Sequence, residues 1–182
     1  NMITNKTQRL VVAALCLALG ILLPQVFHII PVANTGNVFL PMHIPVSLCG
    51  YFVGAWYGAL VGAICPLLSF LFTGMPNAAR LPFMIVELMA YGIAAGLFYH
   101  IFAKLNKTLR IYLTLIITMI CGRIAYFAGL VVAVYILGMK ELSVMAVVSA
   151  VVLGIPGIII QIIIIPVIIF AIDKLRNCKH LL

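Results

Sequence analysis

Two ionisable residues stand inside otherwise apolar stretches: Glu87, within Leu81–Phe102, and Arg123, within Ile111–Leu137. A charge held in a bilayer is expensive unless it is paired or solvated. At about 1.5 Å of rise per residue, Glu87 lies about 10 Å below the start of its helix. By the same measure Arg123 lies about 12 Å from the matching end of its own helix. The depths agree. Two compatible readings follow: a structural Glu87–Arg123 pair, or two charges lining a substrate cavity. Tyr91 falls one turn from Glu87 on the same helix face, and Arg80 stands two turns above it, at the mouth. Tyr126 is near Arg123, and Gln161 sits near the middle of the last apolar run. Two loops add polar candidates: Asn34, Asn37 and His43 from one, Asn77 from the other. His43 could equally precede a helix start at Ile44-Pro45. Phe39, Tyr91 and Tyr126 could stack on a flat ligand, but each could equally be packing, since the chain has ten phenylalanines. His28 and His100 are near helix ends and read as interfacial.

Around these residues the chain is almost wholly apolar. Hydrophobic residues make up 66% and charged ones 8%, with mean hydropathy +1.31. A soluble domain of this size would be about a quarter charged. The fold class is therefore an all-α integral membrane protein, and the lipid bilayer is its first partner. Its 182 residues hold roughly five to seven spans of about 20 residues and little else, so residues 1–182 read as a single transmembrane domain. The first apolar run is too long for a signal-peptide core and reads as a retained helix. No nucleic-acid partner is expected. Five cysteines, at 16, 49, 65, 121 and 178, form no Cys-x-x-Cys pair and read as buried thiols, with no metal or cofactor implied.

Apolar helices are expected over about 10–30, 45–71, 81–102, 111–137 and 145–171, the last interrupted near Gly154-Ile155-Pro156-Gly157. Residues 31–43 and 74–80 have loop chemistry. Gly50, Gly54, Gly58 and Gly62 recur every four residues, a spacing that lets another helix approach bare backbone. The stretch 45–71 is either one helix, giving five spans, or two with a turn at Gly54–Tyr57, giving six. With six, Lys6, Arg9, Lys104, Lys107, Arg110, Lys174, Arg176 and Lys179 all face the cytoplasm, as the positive-inside rule prefers. Trp56 and Tyr57 at the turn suit an interfacial belt. We therefore expect six transmembrane helices with cytoplasmic N- and C-termini. Pro45 to Gly54 would rise only about 15 Å, half the hydrocarbon core. Part of 37–44 must then lie at membrane depth, where non-helical backbone is tolerated only against protein or a polar cavity.

Leu-Pro-Met-His-Ile-Pro-Val (40–46), Gly50-Tyr-Phe-Val-Gly54, Tyr57-Gly58, Gly62, Pro66-Leu67-Leu68 and Gly74-Met75-Pro76 together resemble one family. It is the substrate-binding S component of energy-coupling factor (ECF) vitamin transporters. The resemblance covers essentially the whole chain. It implies high-affinity binding of a small water-soluble nutrient at the outer side, under the first and third loops. It implies docking on a transmembrane T component joined to two ATPase subunits, toppling in the membrane and release inside. Ala14 and Ala18, in a small-xxx-small pattern, are similar to the motif by which such components dock. The implied setting is the plasma membrane of a prokaryote. No Walker A signature is present, so the chain itself is not expected to be an enzyme. Arg80 and Arg123 could hold a carboxylate, and Tyr91, Gln161 and Asn37 could bond hydroxyl and amide groups, which makes pantothenate the substrate guess. The alternatives are a self-sufficient secondary carrier or channel, and an intramembrane enzyme. The former would favour broken helices in two related halves, and no internal repeat is visible. The latter lacks His-Glu-x-x-His, paired aspartates and Gly-x-Ser-x-Gly.

Overall fold

Gly54 breaks the apolar stretch 45–71. Its backbone sits at φ 117°, a conformation open to glycine and strained for other residues. The computed structural model describes residues 5–28, 40–74, 76–78, 80–135 and 154–179. Among them are six α-helices: α1 Lys6–His28, α2 His43–Val53, α3 Ala55–Thr73, α4 Leu81–Ile101, α5 Lys107–Tyr135 and α6 Ile155–Lys179. One 3-10 turn, Phe102–Lys104, follows α4. Five of the helices are long and apolar enough to cross a membrane, and α2 is the short one. The helices expected from sequence are all present, with the break where two short helices were expected in place of one.

Helix α4 lies at the centre and sets the register of its neighbours. Moving down α4, Tyr91 meets His43 and Tyr99 meets Tyr51, so α2 runs parallel to α4. Gly62, Gly58 and Ala55 meet Leu88, Gly92 and Gly96 in turn, so α3 runs antiparallel to it. The turn at Gly54 thus reverses the chain. The glycine ladder is divided between two helices, yet Gly50, Gly58 and Gly62 all press on α4. A Cβ at Gly50 would come within 2.6 Å of the Gly92 carbonyl oxygen, and one at Gly58 within 2.6 Å of the same atom. Bare backbone on both sides is what allows this approach.

On α1, Gly20 packs on Cys65 and Pro45, and the Cys16 and Cys49 thiols are within hydrogen-bonding reach. Helix α1 is therefore antiparallel to α2. At the other end of the chain Lys107 pairs with Asp173 at 2.5 Å, which sets α6 antiparallel to α5. The start of α1, the α4–α5 turn and the end of α6 consequently share one end of the bundle, called the bottom below. At the bottom, Arg110 lies 3.6 Å over the Tyr99 ring, and its Nε donates to the Tyr99 carbonyl at 2.6 Å.

Several boundaries differ from expectation. Helix α2 starts at His43 rather than Pro45, so His43 is the first helical residue and makes no side-chain cap. Leu40, just above, turns the chain with φ 47°. Helix α5 begins at Lys107 rather than Ile111, and α6 runs to Lys179 rather than Ala171. Their charged ends extend the helices because long basic side chains can reach past the apolar zone. The interruption near 154–157 coincides with the start of α6, where Pro156 needs no donor. Residues 145–153, included in the expected last helix, lie outside the described residues.

Candidate functional site

The short helix α2 begins inside the bundle, level with the charged residues of α4 and α5. On α4, Phe83, Glu87 and Tyr91 occupy successive turns of one stripe, and all three are buried. On α5, Arg123 faces this stripe. Its Nη1 donates to Glu87 Oε1 at 2.8 Å. His43 Nε2 stands 3.4 Å from the same oxygen, close enough for ion-pair contact but without hydrogen-bond alignment. The His43 ring meets Tyr91 edge-on, with centroids 4.7 Å apart. Glu87 and His43 are 5% and 1% exposed through their side chains, whereas Arg123 retains 18%. Arg123 is thus the least buried of the three side chains, although its Nε and Nη2 atoms are themselves buried.

Tyr91 fits against α5 because residue 122 is glycine. A Cβ there would overlap the Cε2 and Cδ2 atoms of the Tyr91 ring. Higher up, Phe83 and Tyr126 meet edge-on with centroids 6.4 Å apart. Tyr126 is also within electrostatic reach of Arg80, Glu87 and Arg123. Arg80 itself is exposed at the top of α4. Asn77 is exposed as well, and its carbonyl accepts from the backbone N–H groups of Arg80 (2.8 Å) and Leu81 (3.1 Å) at the start of α4.

The cluster has spare hydrogen-bonding capacity. Among the described residues Tyr91 Oη, both His43 ring nitrogens, and Arg123 Nε and Nη2 have no hydrogen-bond partner. The two side-chain polar atoms of Gln161, fully buried on α6, have none either. Buried polar groups normally find partners, so these unpartnered atoms call for an explanation.

Of the residues singled out from sequence, the structure gathers His43, Glu87, Tyr91 and Arg123 at one level, with Tyr126 close above. Gln161 is buried on a separate helix. Arg80 and Asn77 are at the top. Asn34, Asn37 and Phe39 lie outside the described residues. Phe83 and Gly122 were not singled out. Phe83 could have been reached by stepping back one turn from Glu87, and nothing in the sequence marks Gly122 as the space for Tyr91. Ala14 and Ala18 are exposed on α1, on a face shared with Leu15 and Leu22.

The fold is thus a six-helix bundle in which a half-length helix, α2, begins at a buried and incompletely paired polar cluster. The family model described as ECF transporter, substrate-specific component, matches residues 8–169, and the chain belongs to this family. It is thus a transport subunit that works with a T component and ATPase subunits. No curated protein and no solved structure matches the chain.

Proposed function

We propose that this subunit captures a small, water-soluble, vitamin-like anion at the Glu87–Arg123 level, with pantothenate the first compound to test. The observation that carries the reading is Arg123. One guanidinium nitrogen is held by Glu87 at 2.8 Å, which fixes the side chain. The Nε and Nη2 groups remain as donors, and a carboxylate can take two parallel bonds from such a fork. His43 and Tyr91 supply an aromatic wall with further polar atoms beside it.

In this reading the top of the bundle faces the outside. The bottom carries Lys6, Arg9, Lys104, Lys107, Arg110 and Lys174, and an excess of lysine and arginine favours the cytoplasm. The N- and C-terminal ends are then cytoplasmic. Residues 31–39, part of the loop expected to cap the site, lie outside the described residues. The exposed Ala14/Ala18 face of α1 docks on the T component, two ATPase subunits drive toppling, and the setting is a prokaryotic plasma membrane.

The test is titration calorimetry of the purified protein with pantothenate. Wild type is expected to bind one equivalent, and Arg123→Gln to bind at least tenfold more weakly, the loss of about one charge-assisted hydrogen bond. Undiminished binding by Arg123→Gln would remove this residue from the site.

A further inference from the structure

The stripes that carry the Glu87–Arg123 cluster continue downward, and what they carry next is polar but uncharged. On α2, Ser47 follows His43 by one turn, and Tyr51 follows Ser47. On α5, Thr118 and Thr114 precede Gly122 at successive turns. On α6, Gln161 heads the stripe Gln161, Ile165 and Ile169. Ser47, Thr114, Thr118 and Gln161 are each 0% exposed, and none of their side-chain polar atoms has a hydrogen-bond partner among the described residues.

Two contacts fix their heights. Tyr51 Oη donates to the Ile111 carbonyl at 3.2 Å, tying the lower part of α2 to α5. From that point Ser47 is about 6 Å up α2, while Thr114 and Thr118 are about 4.5 and 10.5 Å up α5. Lys107 and Asp173 tie α5 to α6. Counting up from them, Gln161 rises about 18 Å and Thr118 about 16.5 Å. Helix α6 also touches both α2 and α5. On one scale from Ile111, Thr114 and Ser47 stand at about 4.5 and 6 Å and Thr118 and Gln161 at about 10.5 and 12 Å, so the four occupy two adjacent turns of three touching helices, about 6 to 13.5 Å below Arg123.

We infer that Ser47, Thr114, Thr118 and Gln161 form a second binding layer, which takes the uncharged hydrogen-bonding end of the ligand, a hydroxyl or amide group. Hydroxyls and a carboxamide offer both donors and acceptors and no charge, so they suit a neutral polar group and give nothing to balance a carboxylate. An apolar group in this layer would leave the four side chains unpaired, which buried polar groups avoid. The ligand is thereby oriented, its anionic end up at Arg123 and its neutral end down. This orientation rests on the anion reading above, whereas the existence of the layer does not.

The experiment uses pantothenate and panthenol, in which a hydroxyl replaces the carboxylate. Thr118→Val and Gln161→Leu are expected to weaken both compounds by the same factor, about tenfold each. Arg123→Gln should weaken pantothenate alone. Unchanged affinity for both compounds in Thr118→Val and Gln161→Leu would overturn the layer. If wild type binds neither compound, the pantothenate reading fails and a second measurement judges the layer. In a cysteine-free protein, Ser47→Cys and Thr118→Cys are expected to react with a small, positively charged methanethiosulfonate added from outside. Leu115→Cys, equally buried on α5, should stay silent. Silence at both Ser47→Cys and Thr118→Cys would overturn the layer whatever the nutrient is.

Discussion

Glu87 carries two roles that the geometry keeps together: it neutralises Arg123 in a buried setting, and it fixes the guanidinium that offers its remaining nitrogens. Removing one partner of such a pair leaves an uncompensated charge, at a cost of about 3–5 kcal/mol. Glu87→Gln and Arg123→Gln are each expected to lower the melting temperature in the absence of ligand. The double variant should recover much of the loss, and thermal denaturation of all four proteins measures it. A double variant no more stable than either single one would mean the two residues do not compensate each other. At this scale the sequence was informative for a definite reason. Charges are rare in apolar helices, and counting helical rise puts Glu87 and Arg123 at one depth. Tyr91 came with them by the one-turn rule. His43 was ambiguous because its role depended on where α2 starts, a boundary that Pro45 made look two residues later. Ser47 and Thr118 were invisible, since a hydroxyl in a membrane helix carries no sign of whether it faces lipid, its own backbone or a neighbour.

Among the elements, α4 is the one the others are built on, and its glycines explain why. Gly92 and Gly96 receive α3 so closely that a Cβ on either would run into Gly58 or Ala55 backbone. The period-four glycines of residues 50–62 announced a close helix contact, and the positive charges announced a reversal at Gly54. They could not say that α4 would be the partner of both halves, because the partner's small residues sit far along the chain. Helix α1 is the opposite case. It packs on α2 and α3 through Ala13, Cys16 and Gly20, and turns Ala14 and Ala18 outward among exposed leucines. That arrangement leaves a shallow apolar face on which a partner helix can lie. Ala14→Trp and Ala18→Trp are expected to abolish ATP-dependent uptake in vesicles holding the full transporter, while nutrient binding by the isolated subunit is unchanged. Uptake at the wild-type rate in both variants would remove this face from the docking surface.

At the scale of the whole molecule, six helices place the beginning of α1 and the end of α6 at one end of the bundle and the mouth residues Asn77 and Arg80 at the other. The proposal that the bottom meets the cytoplasm rests on its basic residues. Single cysteines at Asn106 or Lys179, in a cysteine-free protein, are therefore expected to label only from the cytoplasmic side, and one at Asn77 only from outside. Labelling of Asn106→Cys from outside would invert the account. The two-fold division of labour, in which this chain selects and its partners supply energy, requires that the chain hold its nutrient unaided. In the proposed reading the nutrient is held at the Glu87–Arg123 level. The most direct test is mass spectrometry of small molecules released from the purified subunit, comparing wild type with the charge-balanced Glu87→Gln/Arg123→Gln variant. The account predicts one polar compound per wild-type protein and a folded double variant with at least tenfold lower occupancy. A folded double variant that retains the same compound at wild-type occupancy would contradict it and leave the pair a purely structural one.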